Sequence, residues 1–346
     1  MTNIVTDSTP TAGEIAMLRE SVRDSLQSLY PGQPDEQWQK SWPTHWDALT
    51  EQGLWSTIEP VDGSVATAAA VVEELGRVLY PGPSCEVLAA TYVLSRLEDG
   101  AEVPGAGQGG APALFATEDT TTNTAQIAAA PSITARLDPM VSGLPETPLI
   151  VATNDGGLAF ASAARANVRE TPSLDVSRHV VELELLDEPQ TVESASAARL
   201  SVEGRLVKTL LYCADTLGCV DRVLERTAEY ATQRTTFGKT IGTYQAVAHR
   251  LVDHAVTTQQ MRLLLDGATA AFDHGAPDVA RQVATVETFF SRRSSEIISD
   301  CVQLAGAIGF TWEFGHHFYL RRVVQNTSLA GGRGRPAQRL AQEAQW

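Results

Sequence analysis

Apolar positions recur at three- and four-residue intervals over most of this chain, and the exception is its middle stretch. From Thr11, the spacing of Ile15, Leu18, Val22 and Leu26 predicts a helix that stops at Pro31-Gly32. Trp38, Trp42 and Trp46 then fall four apart, followed by Leu49 and Trp55, which predicts one aromatic helix face packed in a core. Pro43 must sit near the start of that helix or at a kink. Beyond a break at 59–64, the pattern predicts helices over Ala66–Leu79, closed by Tyr80-Pro-Gly-Pro, and over Glu86–Leu97. Residues 1–110 read as an N-terminal helical domain.

The texture changes at Asp99. The segment AEVPGAGQGGAP reads as a linker, and short β-like runs follow at Ala113–Ala116, Leu149–Ala152, Leu158–Ser162 and Val180–Leu186. Residues 111–196 read as a reduced β domain, with Thr120–Thr124 in an exposed loop. From Ala197 the helical period returns in four long stretches, about Ala198–Thr232, Thr243–Asp273, Asp278–Ala307 and Gly315–Gln342. Short connections, with His274-Gly275 closing the second helix and Pro277 just before the third, predict an antiparallel four-helix bundle over 197–346. The fold class is α+β, mainly α.

Composition narrows the partners. With 43% hydrophobic and 20% charged residues the chain is of globular type. It carries no apolar run of about 20 residues for a membrane span. Its start lacks the basic and apolar regions of a secretory signal. Cys85, Cys213, Cys219 and Cys301 have no metal-ligand spacing and read as small buried residues of a cytoplasmic protein. The formal charge of −16 is uneven: residues 199–346 hold 17 Lys/Arg against 14 Asp/Glu, while the first 198 hold 9 against 28. Nucleic acid is excluded as a partner for the whole chain, and the C-terminal half is the better seat for an anionic ligand.

The candidate chemistry gathers in ATQRTTFGKTIGTYQAVAHRL at 231–251, between the first two bundle helices. Arg234 offers a planar cationic fork for phosphate, and Phe237 a flat apolar face. Gly238 permits a turn or a close approach, and Gln245 can both donate and accept hydrogen bonds. By itself the stretch fits a nucleotide clamp at a helix junction, and it equally fits an ordinary helix–turn–helix.

Further segments bear on that choice. WDALTEQGLW at 46–55 and VEELGR at 72–77 precede QRTTFGKTIG at 233–242, YQAVAHRL at 244–251 and QLAGAIGFTWE at 303–313. Together they resemble the acyl-CoA dehydrogenase family along essentially the whole chain, most closely in 199–325 and least in the β region. The GFTWE and LRR segments look most like actinobacterial members used on steroid and unusual fatty acyl chains. The resemblance implies an FAD-dependent α,β-desaturation of an acyl-CoA thioester, with FAD shared between neighbouring subunits. It implies that Arg234 pairs with the FAD pyrophosphate and Phe237 packs on the cofactor. Gln245, Gln303 and the turn from Gly306 through Ala307 to Gly309 would meet the adenosine end. Ala307 departs from the family, which usually has a second glycine there.

Two expected parts are missing. The family's base is a carboxylate at one of two positions, which here fall on Ala330 and Lys208. Glu203, five residues from Lys208, is on the wrong helix face for the task. Glu313 reads as a helix-start cap, and His316 and His317 as surface histidines at that start. In the β region only Thr117-Glu118 of a flavin-cradling loop remains, and no tryptophan occurs between Trp55 and Trp312. The pattern implies a non-catalytic subunit that contributes FAD contacts to a related catalytic acyl-CoA dehydrogenase chain. Two alternatives stand beside it. One is an active homo-oligomer whose base is Glu203 or Glu313; the other is a non-redox protein of the same fold.

Overall fold

The computed structural model describes the whole chain except residues 1–9, 33–37, 62, 98–112, 118–133, 138–147, 154–155, 163–164, 172, 179, 188, 193, 331–334 and 345–346. Helix α1 (Ala12–Leu29) opens on a capping box in which Glu14 N–H donates to Thr11 Oγ1 at 3.3 Å and Thr11 N–H to the Glu14 carboxylate at 2.7 Å. Its periodic Val22 and Leu26 are buried, as their spacing predicts. Helix α2 (Trp38–Glu51) carries the tryptophans. Trp38 is buried, with its Nε1–H donating to Leu79 O at 3.0 Å, and Trp46 stacks on Trp55 at 4.5 Å between ring centroids. The side chain of Trp42 lies outside the described residues. Pro43 falls in the second turn of α2, beyond the first-turn positions where a missing N–H costs nothing.

Helix α3 (Val65–Arg77) and helix α4 (Ser84–Leu94) follow. Two sheets come next. In the first, β1 (Leu114–Thr117) pairs in parallel with β3 (Pro148–Ala152), which is antiparallel to β4 (Leu158–Ser162), itself antiparallel to β7 (Gln190–Thr191). In the second, β6 (Val180–Leu185) lies antiparallel between β2 (Thr134–Leu137) and β5 (Ala166–Thr171). Strands β2, β5 and β7 were not legible in the sequence. They are short or polar, and pairing with a stronger neighbour holds them. The 101–112 linker and the Thr120–Thr124 loop lie outside the described residues.

Helix α5 (Ala197–Gln233) is the axis of the molecule. It crosses α3 at backbone contact: a Cβ on Gly218 would lie 1.9 Å from Glu73 O, and one on Gly76 2.2 Å from Asp215 O. Only glycine fits at either position. Helix α6 (Gln245–Asp273) and helix α7 (Val279–Ala305) run back and forth along it. At its far end α6 caps α3, because the Asp273 carboxylate accepts from Val65 N–H at 2.8 Å and Ala66 N–H at 3.0 Å. In the fourth bundle stretch the structure describes α8 (His316–Ala330) and α9 (Arg335–Glu343), and residues 331–334 lie outside the described residues. One continuous buried apolar cluster joins residues from Val22 to Leu329.

Candidate functional site

Three chain segments meet at one end of the bundle: the end of α5, the start of α6 and the end of α7. Helices α6 and α7 are consecutive with a short connection, so the first turns of one lie beside the last turns of the other. Asp300 on α7 fixes that junction by accepting from Arg250 Nε at 2.8 Å, and it meets His254 Nε2 at 2.6 Å. Gln245 is the first residue of α6, and Gln303 lies one turn beyond Asp300.

Arg234 leaves α5 in an extended conformation, with its N–H donating to Tyr230 O at 2.8 Å and its carbonyl accepting from Ile241 N–H at 2.8 Å. Between these bonds runs a two-residue hairpin of β8 (Thr235–Thr236) and β9 (Lys239–Thr240), which sequence patterning did not reveal. Its tip is Phe237-Gly238, with φ of 50° and 83°. Positive φ at both central residues is the geometry of a tight hairpin turn. Glycine takes it freely, whereas phenylalanine is strained there. Phe237 gains nothing from its own fold in exchange, since its side chain is 97% exposed.

Arg234, Gln245, Gln303 and Ala307 are exposed as well. Gly306 has φ 71° and ψ −145°, a conformation essentially reserved for glycine, with open space where a Cβ would point. Gly309 differs: a Cβ there would lie 2.4 Å from Val302 O, so this glycine serves the packing of its own helix end rather than an outside approach. Large apolar side chains surround the end, with Phe310 69% and Trp312 60% exposed, and Val252 and Val256 lie open one turn apart on α6. The six positions singled out in the sequence therefore share an outward-facing end of the bundle, with donors, an apolar ring and small residues turned to the outside.

The interior is arranged very differently. Lys208 is buried on α5, with Nζ 3.7 Å from Glu86 Oε1 on α4, and Tyr212 also donates its hydroxyl to Glu86. Burial pulls the Lys208 ammonium below its usual range, and Glu86 offsets only part of the fall. Ala330, the last residue of α8, lines a void of about 10 Å³ with Tyr212, Glu287, Phe290 and Asn326, space for at most one water.

Next to it lies a charge network that the sequence did not announce. Arg178, from the loop before β6, donates to Asn326 Oδ1 at 2.6 Å and Asp215 Oδ1 at 3.1 Å. Arg322 donates to Asp175 Oδ2 at 3.1 Å and to Tyr80 O, and its Nε lies 3.3 Å from Asp215 Oδ2. Asn326 closes the ring on Asp215 at 2.6 Å. Both arginines and both aspartates are fully buried. The one available sign was Asp215 in the apolar run LLYCADTLGC, where a lone carboxylate requires a partner.

The other candidate bases differ in their surroundings. Glu203 accepts from Tyr92 Oη at 2.9 Å and Arg199 Nη1 at 2.8 Å. Glu313 is exposed, and it is Thr311 Oγ1, not Glu313, that accepts from Phe314 N–H, at 3.3 Å, ahead of α8. His316 is not a surface residue. It is fully buried, Nε2 meets Thr227 Oγ1 at 2.9 Å, and burial followed by the nearby Arg226 drives its pKa down to about 3. Thr227 donates its own proton to Val223 O at 2.7 Å, so His316 is the donor through Nε2. His317 is half-buried rather than exposed, because the aromatic Trp312 and Phe318 pack on it. Among the described residues no group of His, Cys, Asp and Glu could hold a metal ion.

Comparison with known proteins agrees with the bundle geometry. The family profile "Acyl-CoA dehydrogenase, C-terminal domain" matches residues 206–342. The acyl-CoA dehydrogenase FadE34 of Mycobacterium tuberculosis is 28% identical over 344 residues, which cover 95% of this chain and 45% of that protein. The acyl-CoA dehydrogenase IpdE2 of the same organism is 28% identical over 296 residues, covering 82% of this chain and 81% of IpdE2. The chain is thus similar to acyl-CoA dehydrogenases, with the family profile confined to its C-terminal bundle. It spans less than half the length of FadE34. The acyl-CoA dehydrogenase fold extends over the whole chain: the ChsE4-ChsE5 complex from M. tuberculosis superposes with a TM-score of 0.76, covering 98% of this chain and 99% of that one at 21% identity. Acyl-CoA dehydrogenases are oxidoreductases acting on CH–CH bonds. No helix among the described residues is long and apolar enough to cross a membrane.

Proposed function

We propose that this chain is the non-catalytic subunit of an FAD-dependent acyl-CoA dehydrogenase heteromer that desaturates an acyl-CoA thioester. In this reading a related catalytic chain supplies the flavin pocket and the base. The present chain, built as helical (1–110), β (111–196) and bundle (197–346) domains, contributes the exposed bundle end. The observation that carries the reading is Lys208. At a position where the reaction needs a carboxylate that removes a proton, this chain has a buried cation already engaged by Glu86. Ala330, at the other such position, has no proton-accepting group and lines a void far too small for an acyl chain.

The exposed end has the donor set for an FAD that sits mainly in another subunit. Arg234 provides a bidentate fork for pyrophosphate, Phe237 a flat face, and Gln245 and Gln303 amide groups for the adenosine edges. Gly306 and Ala307 leave room for close approach. Bound FAD would supply a hydride acceptor for the desaturation, and Arg234, Phe237, Gln245 and Gln303 would hold its far end. The strained, solvent-exposed Phe237 supports this placement, because such a side chain gains contacts only from a neighbour. The likeness to a ChsE4-ChsE5 complex supports a hetero-oligomer, and the likeness to the Tcur3481-Tcur3483 steroid ACAD supports a steroid acyl substrate class.

Thioester oxidation tests the proposal. The chain alone, a related acyl-CoA dehydrogenase encoded beside it, and the two together are assayed with acyl-CoA and an electron acceptor. Activity confined to samples containing the related chain, and raised by adding this one, is expected. Oxidation by this chain alone would overturn it.

A further inference from the structure

The two glutamines of the exposed bundle end sit where helices are weakest. Gln245 opens α6, and Gln303 lies in the last turn of α7, which ends at Ala305. Terminal turns lack part of the hydrogen-bond ladder and open at low free-energy cost. Neither glutamine is buried against its own fold to hold it there. A ligand that used both would have to order both turns, and that ordering weakens affinity. A brace close to the two ends removes the loss.

Asp300 is placed as such a brace. It stands three residues before Gln303 on α7 and takes the Arg250 guanidinium with both oxygens: Nε donates to Oδ2 at 2.8 Å, and Nη2 meets Oδ1. Oδ2 also meets His254 Nε2 at 2.6 Å. Arg250 and His254 are four apart on one face of α6, so α7 grips two successive turns of its neighbour. Burial, followed by the nearby Arg250, holds the His254 pKa below its ordinary value. The imidazole is therefore neutral at pH 7, and because an ionised carboxylate only accepts, Nε2–H is the donor. The side chains of Asp300 and His254 are 23% and 18% exposed, which shields the brace from much of the screening that weakens surface pairs. Along the helix axes it lies about 7.5 Å from Gln245 and about 4.5 Å from Gln303. Both glutamines fall on the same side of it, toward the exposed end.

We propose that Asp300 is a positioning residue for the cofactor edge. It holds the first turn of α6 and the last turn of α7 at the spacing in which Gln245 and Gln303 serve one ligand. This rests on the proposed FAD role of that edge and adds a residue engaged by its own chain rather than by the cofactor. The sign of its effect separates positioning from charge. Asp300 is an anion near a surface proposed to receive a pyrophosphate, and it occupies a cation. By charge alone its removal would tighten FAD binding. By positioning, its removal weakens binding.

The test is FAD titration of the complex between this chain and the related subunit, followed by flavin fluorescence, with the unfolding midpoint of each variant measured alongside. Asp300→Ala is expected to weaken FAD binding by about tenfold in a chain that remains folded. Asp300→Asn, which removes the charge and keeps the shape, should shift affinity in the same direction and carries the test if the alanine variant fails to fold. Gln245→Ala combined with Gln303→Ala should weaken binding by about tenfold or more, the scale of lost hydrogen bonds. On that background Asp300→Ala should change affinity by less than about twofold, because nothing is left to position. Tighter or unchanged binding in Asp300→Ala would overturn the proposal, as would a full tenfold loss on the background lacking both glutamines. The FAD role of the edge survives those results so long as the glutamine pair itself lowers affinity. No effect of the glutamine pair would overturn both.

Discussion

Lys208 Nζ lies 3.7 Å from Glu86 Oε1, and both side chains are closed off from solvent. A buried ion pair is costly to form and costlier to break, because removing one partner strands the other. Here the pair also ties α4 to α5 at one of the two positions where the resemblance expects a catalytic carboxylate. A cation with its own carboxylate and Tyr212 beside it cannot abstract a proton in the manner of a free carboxylate.

Breaking the pair should therefore damage stability while leaving catalysis untouched. Lys208→Met is expected to lower unfolding free energy by about 3 kcal/mol, and Lys208→Met with Glu86→Gln to recover most of that. Urea denaturation of the two variants checks it. A single variant as stable as the parent would show that Glu86 is not left unpaired.

The hairpin tip separates folding from function. Phe237→Gly removes a strained positive φ and should stabilise the isolated chain by about 1 kcal/mol. The same change should weaken flavin retention in the assembled enzyme, because the ring is lost. Denaturation of the chain and flavin release from the complex are measured side by side. Stabilisation without any change in flavin retention would remove Phe237 from the cofactor surface.

Where α3 and α5 cross, Gly218→Ala should be among the most damaging small substitutions available. The added Cβ would meet a backbone oxygen rather than a side chain that can move aside. A loss of about 2–3 kcal/mol is expected, with the crossing helices forced apart. Gly267→Ala is the control, since no atom lies within 4 Å of its added Cβ. It should be neutral or slightly stabilising by helix propensity.

His316 makes stability fall in acid. Its pKa is about 3 when folded against 6.5 as the ordinary value, so between these pH values the unfolded chain takes up a proton that the folded chain does not. Its contribution is fully present above pH 6.5 and is lost as pH falls toward 3, by an amount on the order of 4 kcal/mol. His316→Gln, which keeps a donor toward Thr227, should flatten that part of the stability–pH curve. Denaturation midpoints at a series of pH values show whether it does; parallel curves for parent and variant would contradict it.

The long helices α5, α6 and α7 and the exposed surface at Arg234 were legible because period, glycine and proline are local signals. The buried side was much less so. Asp175, Arg178, Asp215, Arg322 and Asn326 come from three separated stretches, and nothing in any one of them names its partner in another. His316 misled for the same reason: a histidine at a helix start reads as solvated until Thr227, 89 residues away, is seen beside it.

The central claim is that this chain contributes to a flavin site that it does not itself own, and flavin stoichiometry tests it most directly. The absorbance of bound FAD is measured against protein for the chain alone, for the complex with its related subunit, and for the complex carrying Arg234→Ala. The account predicts no flavin on the chain alone, one per pair of unlike subunits in the complex, and an occupancy reduced by about tenfold or more at limiting FAD when Arg234 is lost. One tightly held flavin on each copy of this chain alone would contradict it.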